Sequence, residues 1–381
     1  MESKLNKGIA NLIVGVALQL LTLAMAIVVP RIILTHYGSE TNGLLSTVTQ
    51  IYSYVALLEA GLGVATVQAL YKPIAANDKK EVSAVLVTSH HYYQRLSMYY
   101  LLCVIALSIL GPFFLKSSLS YLSVALVIFL YGLAGVVNFY FLNAFKQLLI
   151  AEGKSYTINL VTFAVTTLTN VVKIILAITA QSVVALQASY FLIMLLQVII
   201  FKFIEKKYYK WIDYKQKENK NALKEKNSFL VHQITNTIFN STDTILLSTM
   251  CGLAVSSVYA VYNLVFYGLN TLINAVMNGL QFTLGLTYHE DKEKYKKLHD
   301  AFEGYYVSMV FILMTVCYYL ITPFIILYTD GVTDIQYVDD KLPILFCLVQ
   351  LLSCTRIVSS NLINIAEKAK DVIGSYTGGA D

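Results

Sequence analysis

The sequence predicts an all-α polytopic membrane protein of about ten transmembrane helices in two pseudo-symmetric lobes, six helices in the first and four in the second. Three observations lead there. Of 381 residues, 57% are apolar and only 13% charged, about half the charged share of a soluble chain, and the mean hydropathy is +0.62. Long runs free of Asp, Glu, Lys and Arg recur along the chain. Basic residues gather in alternate loops. Disorder and a disulfide scaffold are excluded by 28 Tyr, 18 Phe and only five Cys. Those thiols form no CxxC pair and read as small buried side chains.

A helix needs about 20 apolar residues to cross about 30 Å of hydrocarbon, where the backbone must satisfy its own hydrogen bonds. The first run, Gly8–Val29, ends at Pro30-Arg31. It is too long and lacks the small-residue site of a cleaved signal, so it reads as the first span. Thr41–Tyr71, broken only by Glu59, is the second; Leu96–Leu115 and Ser117–Phe145 follow. Ser155–Phe201 holds two passes with a turn near Ala180–Ser182, and Asn227–His289 holds two more, turning near Cys251–Ser256. Gly304–Thr329 and Leu342–Ala366 complete ten.

With a cytoplasmic N-terminus, one set of loops holds 22 Lys and Arg, and the opposite set holds only Arg31, Lys116 and Lys341. That asymmetry is the positive-inside signal, and it places both termini in the cytoplasm. The Lys-rich stretch 205–227 reads as a cytoplasmic basic linker between a six-helix lobe (1–204) and a four-helix lobe (228–366), with a polar tail at 367–381. The halves echo each other: Gly38 and Gly252 lie 214 residues apart, and each precedes a Lys-rich loop and then a Tyr pair, Tyr92-Tyr93 or Tyr305-Tyr306. Such symmetry implies a parallel repeat and an expectation of six plus six. On that expectation the chain is a fragment or a final helix pair has been lost.

At 100° per residue, several spans carry polar arcs. In the eighth, Asn263, Tyr267, Asn270, Asn274, Asn278 and Gln281 share about 80°. His232, Asn236, Asn240 and Asp243 align in the seventh, and Ser155, Asn159, Thr162, Thr166, Asn170 and Lys173 in the fifth. In the tenth, Ser353, Arg356, Ser360 and Asn364 align, with a weaker Asn11, Gly15, Thr22 row in the first. A single amide is readily helix-to-helix glue; rows along whole helices describe a bundle around a polar cavity. Charges inside the hydrocarbon are costly and mark function. Lys173 can face the cavity or snorkel outward, whereas Arg356 and Asp243 continue polar arcs. Glu59 shares its side with Tyr52 and Thr66, opposite Gln50 and Gln68, and which side is wet stays open. Arg31 reads as a rim charge, and His90-His91 as interfacial. Cationic groups beside amides and hydroxyls suit an anionic, sugar-rich cargo; a cavity for lipophilic cations calls for more carboxylates and aromatic faces.

The stretches Tyr37-Gly38-Ser39-Glu40-Thr41-Asn42-Gly43-Leu44, Leu57-Leu58-Glu59-Ala60-Gly61-Leu62-Gly63, Tyr71-Lys72-Pro73-Ile74-Ala75 and Arg356-Ile357-Val358-Ser359-Ser360-Asn361-Leu362-Ile363-Asn364 resemble the polysaccharide biosynthesis flippases. These belong to the multidrug/oligosaccharidyl-lipid/polysaccharide exporter superfamily. The resemblance implies transfer of an undecaprenyl-diphosphate-linked oligosaccharide between leaflets of a bacterial cell membrane by alternating access. Its implied partners are that lipid-linked oligosaccharide, membrane lipid, a glycan polymerase and glycosyltransferases. Members usually have twelve helices or more; this chain has ten.

The candidate substrate contacts are therefore Arg356, Lys173, Asn270, Asn274, Asn278, Gln281, Asn170, Asn236 and Asn240, with Asp243 or Glu59 as the ion-coupling carboxylate. A multidrug/cation antiporter of the same superfamily is the alternative. A membrane-embedded glycan polymerase or glycosyltransferase is the weaker reading, because Thr329–Leu342, the longest outer segment, has acids without a His partner. No phosphate loop, metal site, cofactor or nucleic-acid partner is expected.

Overall fold

The computed structural model describes residues 2–59, 61–219, 223 and 230–365, with the side chains of 2–20, 23, 58, 230–236, 238–240, 275–283, 285–286, 288–290 and 357–365 left aside. Within that range the chain is helical and strand-free. Eleven helices follow in order: α1 (Glu2–Val55), α2 (Leu62–Ala75), α3 (Lys79–Phe114), α4 (Tyr121–Phe141), α5 (Asn143–Ala151), α6 (Ser155–Ile178), α7 (Val183–Tyr208), α8 (Leu230–Met250), α9 (Leu253–Glu290), α10 (Lys292–Tyr328) and α11 (Leu342–Ile365). Six stretches are long and apolar enough to cross a membrane: α3, α4, α6, α7, Leu253–Asn274 of α9, and α10.

Each helix end has a local cause. The first two expected spans run together as α1 and part only at Gly38, whose φ of 80° leaves the helical region. The turns after α6 and α8 fall where the sequence placed them, at 179–182 and 251–252. The second expected span, Thr41–Tyr71, is not one helix: after α1 comes a single 3-10 turn, Ala56–Glu59, and then Gly61 in the left-handed region starts α2. Asp78 caps α3 by accepting from the backbone N–H of Lys80 and Glu81 (3.1 and 3.0 Å). Asp291 caps α10 in the same way from Glu293 and Lys294 (3.0 and 3.1 Å). These caps sit at nearly one offset in the sequence repeat, as do Gly38 and Gly252, both with positive φ, and Tyr93 and Tyr306, both buried.

By packing, the chain divides into two compact units, Met1–Val258 and Tyr259–Asp381. The first unit extends past the expected 1–204 because α8 packs along α1. That seam is made of hydroxyls and amides. Asn42 donates to Ser257 Oγ (2.8 Å), Thr47 meets Ser256 (3.1 Å), and Ser53 meets Ser241 (2.8 Å). Gly43 allows it, since a Cβ there would stand 1.8 Å from the Leu253 carbonyl oxygen. In the second unit, Phe346 of α11 stacks on Tyr262 and Phe266 of α9, and α10 packs along α11.

Candidate functional site

The first unit holds two polar centres built from several helices. One begins with a column of tyrosine rings. Tyr100 of α3 stacks on Tyr52 of α1 (centroids 5.9 Å), Tyr52 on Tyr131 of α4 (5.4 Å), and Tyr131 on Tyr190 of α7 (5.5 Å). The Lys173 ammonium of α6 caps the column, 5.1 Å from the Tyr190 centroid. Five helices therefore each supply one group. The rings fit because α4 presents glycine at two turns: a Cβ on Gly132 would lie 2.2 Å from the Tyr52 hydroxyl, and one on Gly135 would lie 2.6 Å from that of Tyr100. Two of the hydroxyls are bonded locally, Tyr52 donating to the Ile128 carbonyl (2.9 Å) and Tyr131 bonding Thr49.

Helix α6 explains where Lys173 points. Its surface has three sectors at 100° per residue. Val161, Val165 and Thr169 are buried. Tyr156, Leu160, Ile175 and Ile178 are 54–65% exposed and apolar, as lipid contact requires. Ser155, Asn159, Thr162 and Thr166 are also exposed, on a separate arc that continues into half-buried Asn170 and Lys173. Within this arc Thr162 accepts from Gln197 of α7 (3.2 Å). No carboxylate pairs with Lys173 among the described residues.

The second centre surrounds Glu59 at the break between α1 and α2. Tyr93 of α3, fully buried, donates to Glu59 Oε1 (3.0 Å), and the Asn143 side chain of α5 bonds the same carboxyl. Lys146 of α5 donates to Asn138 Oδ1 (3.1 Å) and lies within coulombic reach of Glu59. Burial pulls its ammonium down to about 8, against the opposing pull of Glu59. Gly63 leaves room for Gln147, whose amide nitrogen would be 2.9 Å from a Cβ there. Although the 3-10 turn and left-handed Gly61 interrupt the helix, Glu59 and buried Thr66 share the side that faces α3, where they meet Tyr93 and, one turn earlier, Ser89 (3.0 Å), and Gln68 is exposed.

The remaining sequence-derived candidates lie on α8, α9 and α11. Asn270 and Asn274 are half-buried on α9. Asn270 Oδ1 accepts from Cys354 of α11 (3.4 Å), whose sulfur also accepts from Gln350 (3.4 Å); at that position the amide is helix-to-helix glue. Arg356 is exposed on α11 and Asp243 exposed on α8. Asn236, Asn240, Asn278 and Gln281 lie outside the described side chains. Sequence reasoning missed the tyrosine column, Tyr93, Asn143 and Lys146. The signal for the column was Tyr131-Gly132 with Gly135 one turn on, a helix with two notches beside an aromatic.

This helical architecture is one that solved multi-pass membrane transporters share. More particularly, it is similar to the fold of MATE-type transporters. Over 90% of its length the chain superposes on an inward-facing multidrug resistance MATE family transporter, with TM-score 0.70, 16% identity and 83% of that chain covered. A MATE protein in a bent conformation matches with TM-score 0.56 at 17% identity, over 90% of this chain and 82% of that one. A MOP superfamily transporter from Pyrococcus furiosus, whose reversed pocket polarity was taken to suggest a different function, matches with TM-score 0.57 at 16% identity, over 92% and 82%. No protein-family profile and no curated protein matches the sequence.

Proposed function

We propose that the protein is an exporter working by alternating access, that its cargo is a lipophilic cation or drug, and that Glu59 carries the coupling proton. The fold shared with multidrug MATE transporters over 90% of the chain carries this reading. Two features of the first unit support it. The end face of the aromatic column already holds a cation, the Lys173 ammonium over Tyr190, and a buried carboxyl sits at a helix break, where a change of charge is felt by three helices. Asp243, exposed on α8, is the second candidate for coupling. The asymmetry of the basic loops supports a cytoplasmic location for both termini.

The test is drug accumulation in a bacterial host stripped of its own pumps. Cells expressing the chain should retain less ethidium than vector controls, and Glu59→Gln cells should retain as much as the controls. Equal retention with wild type and vector would defeat the cation reading.

A second reading is retained on a specific observation. Lys173 lies on the polar sector of α6 without a carboxylate partner among the described residues, an arrangement suited to the diphosphate of a lipid-linked oligosaccharide, with Arg356 as the other candidate cation. Proteoliposomes should then move a fluorescent polyprenyl-diphosphate oligosaccharide between leaflets. Unchanged movement with Arg356→Ala would remove that residue from the site.

A further inference from the structure

One end of the first unit carries a feature that neither polar centre uses. After α7 the chain folds back as a strap, 209–219, across the start of α3. Tyr209, 6% exposed, donates to Glu152 Oε2 (2.6 Å) and accepts from Lys154 (3.0 Å). The Asp213 N–H donates to Ser83 Oγ (3.2 Å) and the Asn219 N–H to Thr88 Oγ1 (2.8 Å). The Asn219 amide donates to Glu81 (2.6 Å), and His91 Nδ1 meets Glu218 at 2.7 Å. Under this cover residues 82–89 of α3 are buried on every side, eight in succession.

The pinning sorts the charges. The acids of this end all have internal partners. Glu81, Glu152 and Glu218 bond the groups just named, Glu205 is held by Lys202 (2.7 Å) and the Tyr214 hydroxyl, and Asp213 accepts from the Lys215 N–H (2.9 Å). The lysines do not. Lys79, Lys206, Lys207, Lys210, Lys215 and Lys217 are exposed, and none forms an ion pair among the described residues. Aromatic groups lie among them: Lys79 stands 5.8 Å from the Trp211 centroid, and Lys207 stands 5.6 Å from Phe203 and 5.2 Å from Tyr208. Phe203 and Tyr208 are 62% and 64% exposed at the end of a membrane-spanning helix, and Tyr156 is 65% exposed in the first turn of α6. Aromatic rings of that kind sit at the headgroup level.

We propose that the strap is a docking surface for anionic phospholipid headgroups of the leaflet at this end of the molecule. A solvated charge run would leave acids and lysines mixed and mobile. Here the acids are consumed as hydrogen-bond acceptors, so a fixed array of ammonium groups remains at the depth where phosphates lie. The proposal needs only that the chain spans a membrane and is independent of its cargo.

Trp211 is the only tryptophan of the chain, which gives the test a reporter at the surface itself. The full-length protein is placed in phosphatidylcholine nanodiscs containing an equal fraction of lipid brominated near the headgroup, either phosphatidylglycerol or phosphatidylcholine. Brominated phosphatidylglycerol should quench Trp211 several-fold more strongly, and the difference should fade with salt. Replacing Lys206, Lys207, Lys210, Lys215 and Lys217 together by Gln should bring the ratio to one; singly, Lys210→Gln and Lys215→Gln should each weaken the preference by up to about five-fold. An unchanged Trp211 emission maximum in pure phosphatidylcholine shows that the variants keep the strap in place. Equal quenching by the two lipids in the wild type overturns the proposal. So does loss of the preference on adding pyrophosphate at constant ionic strength, since that outcome assigns the surface to a soluble diphosphate.

Discussion

Gly132→Ala tests whether the tyrosine column is a packed unit. The added methyl would lie 2.2 Å from the Tyr52 hydroxyl, 2.5 Å from its Cζ and 2.6 Å from a Val104 methyl. Tyr52 is 3% exposed, so its ring has no free space to swing into. Forced displacement in a packed interior costs about 1–3 kcal/mol. Loss of the Tyr52 bond to the Ile128 carbonyl adds about 1 kcal/mol, while exchanging glycine for alanine in a helix returns about 1 kcal/mol. The net loss is about 1–3 kcal/mol. Gly268→Ala is the internal control, because that glycine lies inside α9 with nothing within 4 Å of an added methyl; it should gain up to about 1 kcal/mol. Thermal unfolding of the two purified variants in one detergent should separate them in opposite directions from wild type. Gly132→Ala as stable as Gly268→Ala would refute the packed column, and with it the fixed position of Tyr190 beneath Lys173.

Three further outcomes follow from the same geometry. Glu59→Ala leaves the buried Tyr93 hydroxyl without its acceptor and should cost about 1–3 kcal/mol. Combining Glu59→Gln with Lys146→Met should cost less than the sum of the two single changes, and strict additivity in thermal unfolding would show that the groups do not interact. The Lys146 proton also predicts a pH effect: the unfolded chain keeps it to about pH 10.5 and the folded chain only to about 8, so the unfolded state binds more protons across that window and stability should rise with pH through it. Lys146→Met should flatten that rise. Finally, Ser53→Cys with Ser241→Cys should form a disulfide under mild oxidant, since the native hydroxyl oxygens are 2.8 Å apart. Failure to cross-link in the intact protein would displace α8 from α1.

The fold was legible wherever one physical rule acted alone. Burial in hydrocarbon demands apolar length, so the turns at 179–182 and 251–252 fell close to their expected places. Legibility failed where two rules competed. The apolar run from Thr41 to Tyr71 has the length of one helix, but Gly61 adopts φ 88° and breaks it, although the wheel drawn through it still set Glu59 and Thr66 on one side, opposite Gln68. The α6 arc was readable because its polar residues recur at helical spacing on one unbroken helix. The tyrosine column was not, because its members come from α1, α3, α4, α7 and α6, and no periodicity within one segment reports a stack across five.

Lys173 discriminates between the two cargo classes more sharply than any binding measurement on the wild type. Its ammonium already occupies the outer face of Tyr190, in the position an organic cation would take over that ring. A cationic cargo must displace this built-in occupant and meet a like charge, so Lys173→Met should strengthen cation binding. The cation–π contact that no longer competes is worth about 0.5–2 kcal/mol, which corresponds to roughly two- to thirty-fold in affinity. A diphosphate cargo has the opposite interest. It would draw Lys173 off the ring into a charge-assisted bond, and Lys173→Met should then weaken binding, while Lys173→Arg preserves it. Ethidium efflux and diphospholipid translocation by the same pair of variants therefore move in opposite senses under the two readings. If neither assay changes with Lys173→Met, the polar sector of α6 carries no cargo at this position, and the cation serves only to close the end of the tyrosine column.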